Sequence, residues 1–167
     1  WISERLLGSA GAIRLRSDVE RKRLFGLRAL DDASAPPGAG IYGAQASGRT
    51  YQRLLELAGV ALDAGFPTIV DATFLRARER DAFRAAAHAR GVPFAILHCH
   101  ADPALLRERI VARHAGRADA SDADLAVFAR QLAGGEPLRD DERALAIEVD
   151  TGARVDVDAI AAHWLGR

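Results

Sequence analysis

The apolar positions of this chain form short runs that alternate with longer segments in which apolar residues recur at helical spacing. Four apolar runs predict strands, at residues 11–16, 68–72, 93–101 and 144–150. Glycine and proline at residues 65–67 separate the second run from the helical segment before it. The pattern therefore predicts strands that are separated along the chain by helices.

Six segments predict helices, at residues 17–27, 49–64 and 76–90, from residue 103, around residues 125–132, and at residues 157–165. Ser17 or Asp18 can cap the first of these helices with a side-chain oxygen. Asp102 followed by Pro103 is a typical helix start, with an acidic cap and a proline at the first helical position. Residues 31–43 carry the proline, glycine and serine that favour a loop.

This alternation favours an α/β fold with a mostly parallel sheet and helices on both faces. Right-handed crossovers should connect the strands, and ligands of such sheets bind at the carboxyl ends of the strands. Four polar residues lie at or directly after those ends: Asp18, Asp71, His100 and Asp150. We therefore expect these side chains to lie along one edge of the molecule.

The composition of the chain limits the classes of function that it can have. The 167 residues suffice for one domain, and 23 basic against 23 acidic residues argue against binding to nucleic acid or an anionic membrane. No apolar run has the length of a membrane span, and a single cysteine excludes an internal disulfide, so we expect a cytoplasmic protein. The sequence has no methionine and begins with Trp1, so we expect that an N-terminal piece is missing.

Asp71 ends the apolar strand of the segment "GFPTIVDATF", where a carboxylate is unfavourable unless it has a cationic partner. In P-loop nucleotide enzymes, an aspartate at a strand end holds or orients the Mg²⁺ that bridges the phosphates. Thr73 adds a hydroxyl, and a hard cation prefers oxygen ligands. The alternative is that Asp71 or Thr73 caps the following helix.

Asp18 and Arg21 share one face of the first predicted helix. The aspartate could accept a hydrogen bond from a substrate hydroxyl, while the arginine could contact an anion. The alternative is a helix cap followed by a solvated basic turn.

A third group of charged residues contains four arginines in eleven residues: Arg107, Arg109, Arg113 and Arg117. Arginine donates two parallel hydrogen bonds to a phosphate, and such clusters are typical of lids that close over a nucleotide. The alternative is a solvated surface paired with Glu108.

The segment "HCH" at residues 98–100 resembles a metal site only superficially. Strand alternation places His98 and His100 on one face and Cys99 on the other. Because two ligands do not make a structural zinc site, we expect no metal here and interpret Cys99 as a small core residue.

Five segments, taken in order, carry a family resemblance: "IRLRSDVERKRLFG" (13–26), "GFPTIVDATF" (65–74), "HCHADPALLRERIVAR" (98–113), "DASDADLAVFARQ" (119–131) and "EVDTG" (148–152). They resemble the P-loop kinase-like ATPases of the AAA_33 type, relatives of polynucleotide kinase, gluconate kinase and zeta toxins. The match is closest to the C-terminal domain of bifunctional aminoglycoside phosphotransferase/ATP-binding proteins. It covers nearly the whole chain, as a single domain at residues 1–167 with a lid at about residues 107–124.

The resemblance implies a three-layer α/β/α sandwich of the P-loop NTPase type, which uses ATP and Mg²⁺ and phosphorylates a small molecule. It implies that Asp18 and Arg21 contact the acceptor, with Asp18 as the candidate base, and that Asp71 lies near Mg²⁺ beside Thr73. The remaining residues would face the nucleotide: Arg109, Arg113 and Arg117 at the triphosphate, Thr151 and Gly152 near the base.

The family's first strand and its G-x-x-x-x-G-K-[ST] loop should precede residue 13, but this motif does not occur in the sequence. Lys22 is the only lysine, and residues 1–12 resemble the end of the helix that follows that loop. We therefore expect a fragment of an ATP-dependent phosphotransferase without its phosphate-binding loop. The alternatives are a degenerate, non-catalytic domain that binds a substrate or partner, and an unrelated α/β domain.

Two further expectations follow from the resemblance. Aminoglycoside phosphorylation belongs to the N-terminal half of the bifunctional relatives, so a fused or associated domain of that kind is an expected partner, while the acceptor stays unidentified. Loss of a central first strand should expose apolar side chains of its neighbours. We therefore expect the isolated chain to be marginally stable, to associate, or to have a neighbouring chain fill the gap.

Overall fold

The computed structural model describes residues 2–31, 33, 40–116, 121 and 125–166. The strands in this part of the chain are β1 (Ile13–Arg16), β2 (Thr68–Asp71), β3 (Ile96–His100) and β4 (Ala146–Asp150). The helices there are α1 (Ile2–Ala10), α2 (Ser17–Leu24), α3 (Ala44–Asp63), α4 (Ala77–Ala89), α5 (Pro103–Gly116), α6 (Leu125–Gly134), α7 (Asp140–Arg143) and α8 (Val157–Leu165). A 3₁₀ turn at Gly40–Tyr42 precedes α3.

The strands form two parallel pairs, β1 with β2 and β3 with β4. Arg16 lies opposite Asp71 in the first pair, and His100 lies opposite Asp150 in the second. The carboxyl ends of paired strands therefore coincide. β2 and β3 are not hydrogen-bonded to each other, so each has one edge without a strand partner among the described residues.

Helices cover both faces of these strands. On one face, Ile2 and Leu6 of α1 and Val157 of α8 are buried, and Ile69 of β2 and Leu97 of β3 pack against them. On the other face, a second cluster joins α3 and α4 to β1 and β2; its members include Leu54, Ala58, Phe83, Leu15 and Val70. The α/β fold with parallel strands between helical layers is thereby confirmed.

β2 and β3 are more exposed to solvent than is usual for parallel strands, which are normally covered on both faces. All four residues of β2 are partly exposed, and in β3 the last three residues are exposed. β1 is partly exposed in the same way, and each of the four strands has one unpaired edge among the described residues.

Most of the predicted elements are confirmed. β1 and β4 end at Arg16 and Asp150 as predicted, β3 ends at His100, one residue before its predicted end, and α8 has its predicted bounds. Asp102 caps α5, because its Oδ1 accepts a hydrogen bond from Ala104 N at 2.7 Å. No helix among the described residues is long and apolar enough to cross a membrane.

Three expectations about helices need correction. Neither Ser17 nor Asp18 is the cap of α2, because Arg16 occupies that position and Ser17 is already helical. α3 begins at Ala44 rather than at residue 49, and Ala46 in its first turn is buried. α7 is absent from the prediction because its four residues are too few to show a helical repeat.

A deeply buried ion pair joins α4 to α7. Arg80 Nε donates to Glu142 Oε1 at 2.6 Å and Nη2 donates to Oε2 at 3.0 Å, with side chains that are 5% and 1% exposed. Arg80 also donates to the carbonyl oxygens of Phe74, Glu136 and Pro137. These bonds use every N–H donor of the guanidinium. Arg80 therefore ties the loop after β2 to both helices.

We predict that Glu142→Gln lowers the free energy of unfolding by about 3–5 kcal/mol, because it leaves the buried Arg80 charge uncompensated. Urea denaturation followed by circular dichroism measures the change. The matched control is Asp141→Asn, which removes an exposed partner of Arg84 and should cost less than about 1 kcal/mol. Equal losses of unfolding free energy in the two variants would contradict the stabilising role of the Arg80–Glu142 pair.

The same pair predicts a pH dependence of stability. Hydrogen bonds from Arg80 lower the pKa of Glu142 from 4.5 to about 2 in the folded protein. Because the folded-state pKa lies below the unfolded one, the stabilisation is complete above about pH 4.5 and is lost as the pH falls towards 2. Unfolding free energies measured across this range should fall less steeply in Glu142→Gln than in the unchanged protein, and identical slopes would overturn the prediction.

Candidate active site

Asp18 and Asp71 lie at neighbouring strand ends of the first pair. Asp71 is the last residue of β2 and lies opposite Arg16, the last residue of β1. Asp18 follows two residues later, in the first turn of α2. Parallel pairing therefore brings the two predicted acidic residues to the same edge of this strand pair.

The Asp71 carboxylate is bound through one oxygen. Its Oδ2 accepts hydrogen bonds from Arg14 Nε at 3.1 Å, from Arg14 Nη2 at 2.5 Å and from Ser3 Oγ at 2.8 Å. No described residue donates to Oδ1, and the side chain is 37% exposed. The carboxylate thus has the cationic partner that its position requires, and its other oxygen accepts no hydrogen bond from a described residue.

The alternative role of Asp71 or Thr73 as a helix cap is wrong, because Arg76 is the N-cap of α4. Thr73 Oγ1 instead lies 3.4 Å from the Tyr51 hydroxyl, which accepts a hydrogen bond from Phe74 N at 2.9 Å. Phe74 has a φ of 46°, a left-handed conformation that is unfavourable for a bulky residue. Burial raises the pKa of Tyr51, so its neutral hydroxyl is available to hold this strained loop beside Asp71.

Arg21 is buried, with 8% of its surface exposed, which excludes the solvated-turn alternative for this residue. Its Nη1 donates to Ile41 O at 3.0 Å and to Ser47 Oγ at 3.3 Å, and its Cζ lies 5.3 Å from the centre of the Tyr42 ring. None of these partners is charged, and Nε has no hydrogen-bond partner. Within the described residues, Arg21 is therefore a buried cation that no carboxylate neutralises.

In the second strand pair, Arg109 reaches the turn after β4. Its Nη1 donates to Thr151 Oγ1 at 3.0 Å and its Nη2 donates to Thr151 O at 2.8 Å. Thr151 N donates in turn to His100 O at 2.7 Å, and Gly152 N donates to Asp150 Oδ1 at 2.8 Å. The structure therefore brings Arg109, Thr151 and Gly152 together, and it pairs Arg109 with this turn rather than with Glu108.

Cys99 lies on β3, whose Leu97 packs against the same buried cluster as Ile69 of β2. Neighbouring atoms desolvate its thiol and the Asp71 carboxylate repels its thiolate, and both effects raise the pKa of Cys99. Cys99 nevertheless keeps an exposed surface, so its interpretation as a core residue is wrong. The physical reason is that the edge of β3 carries no further strand among the described residues.

His98 and His100 share one face of β3, as alternation predicts, with ring centres 6.2 Å apart. Glu148 Oε2 on β4 lies 2.8 Å from His98 Nδ1 and 3.8 Å from His100 Nε2. In the described part of the chain, no three histidine, cysteine or acidic side chains are grouped to hold a metal ion.

The side chains of two candidate residues are not described by the structure. Arg113 belongs to α5, but its side chain lies outside the described residues, and so does the whole of Arg117. Their assignment to a lid at about residues 107–124 therefore stays a prediction.

The sequence pattern does not single out Arg14, Ser3 or Tyr51, although each contacts a predicted site residue. Arg14 carries the clearest signal, because it is a basic residue inside an apolar strand. Its partner Asp71 is 57 residues away, and Ser3 is 68 residues from the same carboxylate. Contacts over such separations leave no trace in a local pattern.

The sequence profile of the AAA_33 family, described as an AAA domain, matches residues 1–138. Among curated proteins, none matches this sequence. Two solved structures share the fold: a candidate kinase from Chloroflexus aurantiacus J-10-fl, with 19% identity and a TM-score of 0.70, and a sugar kinase from Janibacter sp. HTCC2649, with 17% identity and a TM-score of 0.65. The similarity covers 99% of this chain and 88% and 86% of those chains. This chain therefore belongs to the AAA_33 family and has the α/β fold of P-loop kinase-like ATPases.

Proposed function

We propose that the chain is the acceptor-binding and lid-bearing part of an ATP-dependent phosphotransferase that acts on a small molecule. Its kinase-like family supports this, as does a structural neighbour described as a sugar kinase. The observation that carries the proposal is the shared strand edge of Asp18 and Asp71, with the buried Arg21 one turn along α2. Such an edge is where parallel α/β sheets bind ligands.

On this proposal, Asp18 accepts the proton of the acceptor hydroxyl, and Arg21 contacts an anionic part of the acceptor. Position supports both roles, because Asp18 lies in the first turn of α2 at the strand edge and Arg21 lies three residues further along the same helix. The uncompensated charge of Arg21 favours an anionic partner.

The described residues fit Mg²⁺ through Asp71. Its Oδ1 carries no hydrogen bond from a described residue, and Mg²⁺ is usually bound by one or two carboxylates together with waters and phosphate oxygens. Thr73 would contribute less directly, because its hydroxyl lies beside that of Tyr51. When bound, Mg-ATP supplies the phosphoryl group that the acceptor receives.

We assign the nucleotide base to the turn that contains Thr151 and Gly152, and the triphosphate to Arg113 and Arg117 of the lid. The two bonds from Arg109 to Thr151 favour a role in positioning that turn.

The described residues do not hold a triphosphate by themselves, because no G-x-x-x-x-G-K-[ST] loop occurs in the sequence. We propose that this loop and the strand before it lie outside this chain. The unpaired edges of β2 and β3 support a strand position between them, since Ile69 and Leu97 from these strands pack on one common cluster. The coding sequence upstream of Trp1 tests this: a strand followed by the motif supports a fragment, and its absence supports the alternative.

The alternative is a degenerate domain that binds a substrate or a partner without catalysis. One observation favours it, because the described contacts of Asp71 and Arg109 already satisfy much of their hydrogen-bonding capacity within the protein. In either case we expect a cytoplasmic protein, with an aminoglycoside phosphotransferase-like domain as a fused or associated partner.

We predict that Mg-ATP binds this chain with a Kd of about 1 mM or weaker, because the loop that contacts the β- and γ-phosphates is not part of it. Isothermal titration calorimetry measures this. Asp140→Asn, which alters a fully exposed carboxylate on α7, serves as the control and should leave the weak signal unchanged. Saturable binding in the low micromolar range, abolished by Asp71→Asn, would show that the described residues suffice.

A second prediction concerns a longer protein that includes the loop. There, Asp18→Asn should lower kcat by about 10²–10⁴, the contribution of a general base, while Mg-ATP binding stays unchanged. The matched control is Asp140→Asn, which alters a fully exposed carboxylate on α7 and should leave kcat within twofold, a change of roughly 0.4 kcal/mol. An unchanged kcat in Asp18→Asn would refute the proposed base.

A further inference from the structure

A cavity of about 280 Å³ opens where the end of α2 faces the beginning of α3. Phe25 lines one side of it, and Gly43, Ala44 and Ala46 line it at the first turn of α3. Arg49, which lies further along α3, also lines the cavity. An aromatic ring, a helix terminus and a cation therefore border the same space.

The Arg49 guanidinium is available to a ligand. Its Cζ lies 5.4 Å from the centre of the Phe25 ring. In the described ranges, no carboxylate pairs with Arg49 and no acceptor takes a hydrogen bond from it. Arg53, one turn further along α3, differs, because Glu20 and Glu56 lie 4.0 and 3.8 Å from its guanidinium.

The beginning of α3 adds partial positive charge to the cavity. The helix is 20 residues long and its N-cap is Gly43, so no side chain caps its first N–H groups. Free N–H groups and the helix dipole together attract anions.

Arg21 gives an independent indication of an anion. Its guanidinium reaches Ile41 O and Ser47 Oγ, and these two residues adjoin the cavity-lining Gly40 and Ala46 in the chain. It is 8% exposed, its Nε has no hydrogen-bond partner, and within the described residues only neutral groups contact it. A buried guanidinium of this kind is unfavourable until a negative charge compensates it.

We propose that this cavity binds the anionic end of the phosphoryl acceptor, a phosphate or carboxylate group held by Arg49 and the first turn of α3. This inference rests on the proposed function for the identity of the ligand as the acceptor, while the anion site itself rests on the cavity, on Arg49 that lines it, and on the unneutralised Arg21 that contacts residues next to its lining. Phe25 then packs against the adjoining carbon atoms of the ligand.

The length of α2 separates Asp18 from the cavity. Asp18 lies near the beginning of α2 and Phe25 directly follows its end, seven residues later. At 1.5 Å per helical residue, the two positions are about 10 Å apart. The acceptor is therefore a hydroxylated molecule with an anionic group, such as an acidic or phosphorylated sugar, that is long enough to reach from Asp18 to the cavity beside Phe25.

The test uses inorganic phosphate as the probe, followed through backbone amide resonances of the chain. Phosphate should shift the amide signals of residues 44–46 in a saturable way. Arg49→Gln should weaken this binding roughly fivefold to tenfold, because it removes a charge-assisted pair of hydrogen bonds. Arg49→Lys should restore part of the loss.

Arg53→Gln is the matched control, since it removes an arginine from the same helix whose charge is already paired. It should change the affinity for phosphate less than about twofold. Equal weakening by Arg53→Gln and Arg49→Gln, or shifts that avoid residues 44–46, would overturn the site. If Arg49→Gln does not fold, as judged by circular dichroism, the location of the amide shifts in the unchanged chain still tests the site.

The experiment separates this inference from the proposed function, because it requires neither ATP nor turnover. Phosphate binding that depends on Arg49, together with an unaffected kcat in Asp18→Asn, would leave the anion site standing and reject the phosphotransferase role of Asp18. The opposite pair of results would reject the anion site alone.

Discussion

The parallel pairing of the strands is the constraint on which the candidate site depends. Because Arg16 lies opposite Asp71 and His100 lies opposite Asp150, the segments that follow these strands begin at shared edges. A shift of one residue would turn every side chain of a strand to its other face. Arg14 on β1 and Ser3 on α1 hold Asp71 in place through one carboxylate oxygen. The same residue is thereby a structural contact between three elements and the candidate ligand of a metal ion.

A buried network supports the loop behind that residue. Phe74 adopts a left-handed conformation, and two groups hold it: the Tyr51 hydroxyl at its N–H and Arg80 at its carbonyl oxygen. Arg80 is itself fixed by Glu142 from α7. The loop after β2 is thus ordered by side chains from distant parts of the chain, which is how a site can keep a conformation that its own sequence disfavours.

The arginines of the chain differ in how their charge is neutralised. This difference distinguishes arginines with a structural role from arginines that are candidates for binding a ligand. Arg14 and Arg80 each have a carboxylate partner, and Arg109 is anchored on the turn after β4. Arg21 and Arg49, in contrast, have no carboxylate partner in the described part of the chain, and both border the same region between α2 and α3. A cation that the fold brings to a cavity without a counter-charge indicates an anionic ligand more directly than a cluster of arginines in the sequence.

The sequence by itself determined most of the order of helices and strands, the approximate strand ends and the family, because hydrophobic periodicity, turn residues and local motifs are all properties of neighbouring positions. It also placed Asp18 and Asp71 at one edge, since parallel strands share their carboxyl ends. Only the tertiary structure decided which charges are paired: Asp71 with Arg14, Arg80 with Glu142 across 62 residues, and none with Arg21 among the described residues. For each arginine the sequence offers many carboxylates as possible partners, including ones roughly 60 residues away. Because an ion pair reaches only about 4 Å, its partner is selected only once the chain has folded.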